Sequence, residues 1–207
     1  MHILVLNGSP KGENSITLQT LRYLEKKYKL DHMEVLHVGL KIKSLEKNFT
    51  PALEAMEKAD LLVFSYPVYT FIAPCQLHRF IELLKASGID LSGKWATQLT
   101  TSKHFYDFTA HRYIQENCGD LGLKYIPGLS ADMDDLLTEK GQQDARAFFD
   151  FVCWSMECDI FEPAAAPMPQ VYSDELLHMI PNLGGSFITD PSSPEFQGYL
   201  QTYYFYM

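Results

Sequence analysis

The chain has 207 residues, 46% of them hydrophobic, and its 17 basic and 26 acidic residues give a formal net charge of −9. This composition is typical of a globular protein and excludes a disordered chain, and the length suits one domain with some surplus. The acidic charge argues against nucleic-acid and anionic-lipid partners, and no run approaches the roughly 18 apolar residues of a membrane-spanning helix.

Two features of the sequence predict a cytoplasmic protein. Residues 1–7 form a short apolar run that meets a turn at once, without the basic start and long apolar stretch of a signal peptide. The cysteines are too few and too scattered for a disulfide scaffold. They are Cys75, Cys118, Cys153 and Cys158.

Short apolar runs alternate with amphipathic stretches along residues 1–161. The runs predict buried strands, and the stretches, whose apolar residues recur every three or four positions, predict helices. Predicted strands cover 2–7, 33–38, 60–65, 95–100 and 123–129, and predicted helices cover 15–29, 49–59, 73–87, 109–121 and 138–158. This alternation requires crossover connections, so we expect a doubly wound α/β domain whose five-stranded parallel sheet carries helices on both faces. Pro127 interrupts the last strand and places it at an edge of the sheet.

The sequence changes character after residue 161. Residues 162–169 are a Pro-rich linker by composition, so we expect the α/β domain to occupy 1–161 and a C-terminal extension to occupy 162–207. The extension ends in a dense aromatic segment, 199–207, which is too apolar to remain in water. That segment can pack on its own domain, on a partner subunit or on a further domain, and we favour a partner subunit.

The loop after the first predicted strand, residues 7–17, combines hydroxyl, amide and cationic side chains with two glycines. Ligands of open parallel sheets bind outside the carboxyl ends of the strands, and the N–H groups and dipole of a helix start bind phosphate. The loop is not a Walker loop, because Glu13 stands where the second glycine belongs. It is not a dinucleotide loop either, because Pro10 replaces a required glycine. The alternative to a phosphate site is an ordinary turn that Asn14 or Ser15 caps.

Two further loops follow the third and fourth predicted strands. Residues 65–74 supply aromatic and aliphatic surface with backbone amides between two prolines, which suits a flat, partly polar ring system. The alternative is that Tyr69, Phe71 and Ile72 are core residues. Residues 100–107 are polar where a buried strand ends, as functional loops often are, and Asp107 is the predicted cap of the next helix.

The three loops, in this order and spacing, resemble those of the flavodoxin-like NAD(P)H-dependent FMN reductase and quinone reductase superfamily. The matching segments are Gly8-Ser9-Pro10-Lys11 with Asn14-Ser15, Tyr66-Pro67-Val68-Tyr69 with Gln76-Leu77-His78-Arg79-Phe80 behind it, and Thr101-Ser102-Lys103-His104. The resemblance covers about residues 1–160. It implies a flavodoxin-like sheet with strand order 2-1-3-4-5 and an FMN cofactor.

The resemblance also implies which residues bind FMN. The phosphate would be bound by Ser9, Lys11, Asn14, Ser15 and the backbone of Ile16. The isoalloxazine ring would lie along the second loop and meet the third. Its neighbours would be Pro67, Val68, Tyr69, Thr70 and Phe71 in the second loop and Thr101, Ser102, Lys103 and His104 in the third.

The sequence departs from the family's pattern at several points. It lacks the compact cysteine cluster of the iron–sulfur branch, so we expect no iron–sulfur cluster and no metal site. Glu13 stands where the family often has glycine, and an acid beside a phosphate weakens binding unless it points to water. His78 replaces the family's lysine, and the extension after residue 161 has no counterpart in the short reductases.

These implications predict an FMN-dependent oxidoreductase. It would take hydride from NAD(P)H, pass electrons to a quinone, a free flavin or a nitroaromatic, and form a homodimer, as its family commonly does. We name no catalytic side chain, because the cofactor performs hydride transfer while the protein supplies orientation and electrostatics. The alternative is a flavin-carrying electron-transfer or interaction module within a longer chain.

Overall fold

The computed structural model describes residues 1–103 and 107–164, and within them six parallel strands form one sheet. The strands are β1 (Ile3–Asn7), β2 (Met33–Leu36), β3 (Leu61–Pro67), β4 (Trp95–Ser102), β5 (Lys124–Tyr125) and β6 (Leu129–Asp132). The helices are α1 (Ile16–Tyr28), α2 (Val38–Leu45), α3 (Thr50–Lys58), α4 (Cys75–Ser87), α5 (Phe108–Asp120) and α6 (Glu139–Glu157). The order β2-β1-β3-β4-β5, with β6 also paired to β4, confirms the predicted flavodoxin-like fold.

The two faces of the sheet are covered by different helices. Ile3 and Val5 of β1 pack with apolar residues of α1 and α6. Leu4 and Leu6, which point to the opposite face, pack with apolar residues of α2, α3, α4 and α5. Because both faces are buried, β1 and β3 consist of nearly continuous apolar residues, which made them clear in the sequence.

The last predicted strand, 123–129, is reduced in the structure to β5, and β6, which begins at Leu129, was not predicted. The two strands pair with successive parts of β4. Pro127 lies in the gap, where a residue without an N–H group cannot continue the ladder. Gly128 follows it, and a Cβ atom there would lie only 2.3 Å from the Cγ atom of Gln98. The chain therefore passes too close to β4 for any side chain at this position.

Helix α2 was not predicted, and the predicted strand 33–38 ends earlier, at Leu36. The helix has eight residues, and His37 at its start forms no side-chain cap. Gly39 in its first turn lies against the loop after β1, because a Cβ atom there would be 2.4 Å from the carbonyl oxygen of Ser9. Tertiary packing, and not a capping signal, determines this helix.

Beyond α6 the chain passes the edge of β5, where the N–H of Glu162 donates to the carbonyl of Tyr125 at 2.8 Å. The predicted aromatic segment 199–207 and nearly all of the C-terminal extension lie outside the described residues. Among residues 1–103 and 107–164, no helix combines the length and apolar character needed to cross a membrane.

Candidate functional site

The carboxyl ends of β1, β3 and β4 lie side by side. From β1 the chain continues to β2 on one side, and from β3 it continues to β4 on the other, so the direction of strand order reverses between β1 and β3. Register places Asn7 of β1 beside Ser65 of β3, and Pro67 of β3 beside Thr101 of β4. The three loops that follow these strands therefore meet at the topological switch point, where ligands of such sheets bind.

Asn7 organises the first of these loops from its fully buried position at the end of β1. Its Oδ1 atom accepts from the N–H of Ser9 at 3.1 Å, and its Nδ2 atom donates to the carbonyl of Gly12 at 3.0 Å. Gly12 has φ of +56° and begins a short 3-10 turn that leads into α1. The side chain of Asn7 thus fixes both sides of the loop.

Two hydroxyls of this loop serve the backbone and keep a donor hydrogen. The Ser9 Oγ accepts from the N–H of Lys11 at 3.3 Å, and the Ser15 Oγ caps α1 by accepting from the N–H of Leu18 at 3.4 Å. A hydroxyl that accepts in this way can still donate to an anion. The first N–H groups of α1, beginning at Ile16, have no acceptor within the helix.

The donors of this loop fit a phosphate group by their chemistry. Hydroxyls, a helix N-terminus and the exposed side chains of Lys11 and Asn14 are groups that bind phosphate. The capping on which the alternative interpretation rested is present at Ser15, and capping and phosphate binding are compatible at that residue.

The carboxylate of Glu13, which stands where the family often has glycine, faces solvent and contacts two basic side chains. It lies 2.9 Å from the Nε2 atom of His37 and 3.5 Å from the guanidinium of Arg22. The side chain is 59% exposed to solvent. The acid is therefore both solvated and paired with a basic group.

The second loop contains a tight turn with unusual backbone geometry. Tyr69 and Ile72 exchange N–H···O bonds of 3.3 Å, and Thr70 and Phe71 between them have φ of 48° and 72°. Positive φ is uncommon outside glycine, and for a β-branched residue such as Thr70 it is an outlier. Strain of this kind is concentrated at functional sites.

Three apolar side chains of this turn face solvent. Tyr69, Phe71 and Ile72 are 49%, 50% and 52% exposed, so the interpretation of these residues as core is wrong. Pro67 and Val68 at the base of the loop are half-buried. The turn presents an aromatic and aliphatic surface at the carboxyl edge of the sheet.

The third loop is connected to the first two through Thr101. Its hydroxyl lies 2.6 Å from that of Thr17 in α1, and its carbonyl accepts from the N–H of Val68 at 2.9 Å. Ser102 is buried beside it, and Lys103 is exposed and pairs with Asp134 at 3.0 Å. His104, the last predicted residue of this loop, lies outside the described residues.

Asp107 closes the third loop and occupies the N-cap position of α5, as the sequence predicted, although its side chain makes no capping hydrogen bond. Its Oδ2 atom accepts from the Thr100 hydroxyl at 2.7 Å and lies 3.4 Å from the Nε2 atom of His111. The same His111 nitrogen is 2.8 Å from the Thr100 oxygen. Burial opposes ionisation of Asp107, but hydrogen bonds from His111 and Thr100 hold the pKa of this carboxyl well below its usual range.

Several residues that shape the site were not among the predicted site residues. Thr17 and His37 act through partners distant in sequence, which the sequence pattern does not specify, and Asn7 acts through both local and distant partners. An amide directly after a buried apolar strand is a usable signal for Asn7, because a buried amide needs several partners. Within the described parts of the chain, no three His, Cys, Asp or Glu side chains are grouped so as to hold a metal ion.

Residues 1–128 match the family described as NADPH-dependent FMN reductase. A comparison with curated protein sequences gives no match. Among solved structures, apo NADH:FMN oxidoreductase (EMOB) aligns with a TM-score of 0.60 and 20% identity, over 83% of this chain and 99% of its own. RosB with a bound 8-demethyl-8-formylriboflavin-5'-phosphate intermediate aligns with a TM-score of 0.57 and 15% identity, over 94% of this chain and 93% of its own. An FMN-dependent NADH-azoreductase from Bacillus anthracis in complex with FMN aligns with a TM-score of 0.54 and 14% identity, over 76% of this chain and 99% of its own.

Proposed function

The chain belongs to the NADPH-dependent FMN reductase family, and we propose that it is an FMN-dependent NAD(P)H oxidoreductase. The observation that carries this proposal is the meeting of three loops at the switch point. One offers phosphate donors, one offers an exposed aromatic surface, and the third is bonded to both. The family match favours an enzyme over a flavin-carrying electron-transfer module.

The residues that would hold FMN fall into two groups. Ser9, Lys11, Asn14, Ser15 and the Ile16 backbone would bind its phosphate. The ring would lie between the exposed turn of the second loop and the third loop, with contacts from Pro67, Val68, Tyr69, Thr70, Phe71, Thr101, Ser102, Lys103 and His104. Bound FMN would supply hydride and electron transfer, which side chains cannot perform.

The protein's own contribution would be orientation and electrostatics. The Thr17–Thr101 bond and the Val68–Thr101 bond fix the spacing between the phosphate loop and the ring-side loops. The apolar turn at Tyr69 and Phe71 would exclude water from one side of the ring and offer a flat surface to an aromatic substrate. Such a site suits a quinone, a free flavin or a nitroaromatic as electron acceptor.

We extend the proposal to a homodimer located in the cytoplasm. The exposed turn residues at the carboxyl edge would be covered in part by a partner subunit, as exposed apolar patches often are. Sedimentation equilibrium of the full chain tests this assembly, and a monomer at all concentrations would contradict it.

The proposed function is tested by loading the purified protein with FMN and measuring the visible flavin spectrum and steady-state NADH and NADPH oxidation. We expect the protein to retain FMN through gel filtration and to oxidise a nicotinamide nucleotide faster when a quinone is added. Retention of FMN without turnover with any acceptor would favour the electron-transfer module. Failure to retain FMN would overturn the proposal.

A further inference from the structure

His37, which lies between β2 and α2, contacts the first loop in a way that the sequence did not predict. Its Nδ1 atom lies 3.2 Å from the Nδ2 atom of Asn7, and its Nε2 atom lies 2.9 Å from the carboxylate of Glu13. The side chain is only 17% exposed. The ring therefore bridges the residue that organises the loop and the acid that the loop carries.

The partners of Asn7 determine which ring nitrogen of His37 carries hydrogen. The Oδ1 atom of Asn7 accepts from the N–H of Ser9, so its other end must be the NH₂ group, which also donates to the carbonyl of Gly12. An NH₂ group can only donate, so the Nδ1 atom of His37 is the acceptor. The neutral ring then carries its hydrogen on Nε2 and donates it to Glu13.

The position of His37 is fixed by close packing. A Cβ atom on Gly39 would lie 2.4 Å from the carbonyl oxygen of Ser9 and 2.6 Å from that of Gly8, so the first turn of α2 lies directly on the loop backbone. His37 immediately precedes this turn. The packing of the α2 backbone on the first loop therefore fixes the position of the His37 ring beside that loop.

Glu13 stands two residues before Ser15, the N-terminal cap of α1. A carboxylate free to turn toward the helix start would repel a phosphate bound there, and like charges a few ångströms apart near a protein surface interact appreciably. The 2.9 Å contact with the Nε2 atom of His37 restrains the carboxylate from such a turn. The guanidinium of Arg22 lies 3.5 Å from the same carboxylate and is also paired with Glu25 at 3.0 Å.

Resting on the proposed function, we infer that His37 is a positioning residue for phosphate binding. It holds the carboxylate of Glu13 away from the phosphate of FMN and thereby makes an acidic loop compatible with an anionic ligand. The Nε2 atom performs this role by its contact with Glu13, and the Nδ1 atom stabilises the loop by its contact with Asn7.

Two substitutions separate the two sides of the ring. His37→Asn places an amide near the Nδ1 position, which keeps an acceptor for Asn7 and releases Glu13. His37→Gln reaches the Nε2 position, which keeps a donor for Glu13. FMN and riboflavin affinities are measured by flavin fluorescence on the wild-type protein, both variants, Glu13→Gln and the double variant His37→Asn/Glu13→Gln.

We expect His37→Asn to weaken FMN binding by about fivefold, the scale of one charge interaction near a surface, while riboflavin, which lacks the phosphate, is unaffected. His37→Gln should bind FMN nearly as the wild type does. The double variant should bind FMN as Glu13→Gln does, and added salt should reduce the defect of His37→Asn.

The inference is overturned if His37→Asn and His37→Gln lower FMN and riboflavin affinity alike, since the ring would then be only structural. It is also overturned if Glu13→Gln fails to rescue His37→Asn. Urea unfolding of each variant shows whether a loss of binding follows from a loss of folding. A wild-type protein that binds riboflavin but not FMN, or neither, would instead contradict the proposed function.

Discussion

The hydroxyls of Thr17 and Thr101 meet at 2.6 Å, although 84 residues separate them in the chain. Both side chains are buried, so each hydroxyl depends on the other for a hydrogen-bond partner across the sheet face. Thr101 also accepts from the N–H of Val68 through its carbonyl. One residue at the end of β4 therefore links α1, directly after the first loop, and the aromatic turn of the second loop.

We predict that Thr17→Val destabilises the protein by about 1–3 kcal/mol, because it leaves the buried hydroxyl of Thr101 without its partner. The double variant Thr17→Val/Thr101→Val should recover part of this loss, since replacing both hydroxyls by methyl groups of the same shape removes the unpaired group. Urea unfolding of the two single variants and the double variant measures the coupling. Strict additivity of the two effects would show that the short contact contributes nothing.

A second prediction concerns the cap of α1. Ser15→Asp keeps a side-chain acceptor for the N–H of Leu18 and adds a negative charge where the phosphate should bind. We expect the folding stability to change little and FMN binding to be lost. Ser15→Asn is the matched control, because it caps the helix without charge and should weaken FMN binding much less. Equal FMN affinity of the Asp and Asn variants in fluorescence titration would refute phosphate binding at this residue.

The strained turn of the second loop gives a third prediction. Phe71→Gly should relieve the backbone strain of this turn, because glycine adopts the φ of 72° without steric cost. The same change removes an exposed ring that would lie at the flavin, so FMN affinity should fall. Tyr69→Ala, at the preceding exposed ring, should weaken FMN binding by about 1–2 kcal/mol. Thermal unfolding and FMN titration are both needed, and a variant that gains stability without losing affinity would place Phe71 outside the site.

The sequence predicted the fold well because strands buried on both faces are nearly continuous apolar runs and most helices show a clear amphipathic period. It also predicted which loops meet at the carboxyl edge of the sheet, since loops at the carboxyl ends of parallel strands follow from chain order. It did not predict α2, whose position depends on packing at Gly39. It did not predict the pairing of Asn7 with His37 or Thr17 with Thr101, because such contacts depend on sheet register, which residue patterns do not encode.

A fourth prediction follows from Tyr28, which joins α1 to α6. Burial and the hydrogen bond that its hydroxyl donates to Asp150 at 2.7 Å raise the pKa of this phenol to about 12. Because the folded pKa exceeds the unfolded value, the stabilisation is complete below about pH 10 and is lost as the pH rises through the folded value. Tyr28→Phe keeps the ring contact with Phe149 and should lose less stability than the wild type over this alkaline range. Parallel alkaline unfolding curves for the two proteins would contradict this assignment.

The last prediction concerns Asp107, whose carboxylate closes the third loop through Thr100 and His111. Its hydrogen bonds hold the pKa of this carboxyl below its usual range, so the folded value lies below the unfolded value of about 3.9. The ionised carboxylate of Asp107 therefore stabilises the folded state. This stabilisation is present above about pH 4 and is lost as the pH falls further. Asp107→Asn should destabilise the protein by about 1–3 kcal/mol at neutral pH, where it replaces a buried, hydrogen-bonded charge. The difference from the wild type should shrink in acid, as the wild-type carboxylate becomes protonated.

Urea unfolding at neutral pH and well below pH 4 measures both values, and Phe108→Ala, a change at the neighbouring exposed residue, controls for general effects on this segment. A destabilisation of Asp107→Asn that stays constant with pH would show that the side chain acts by shape and not by charge.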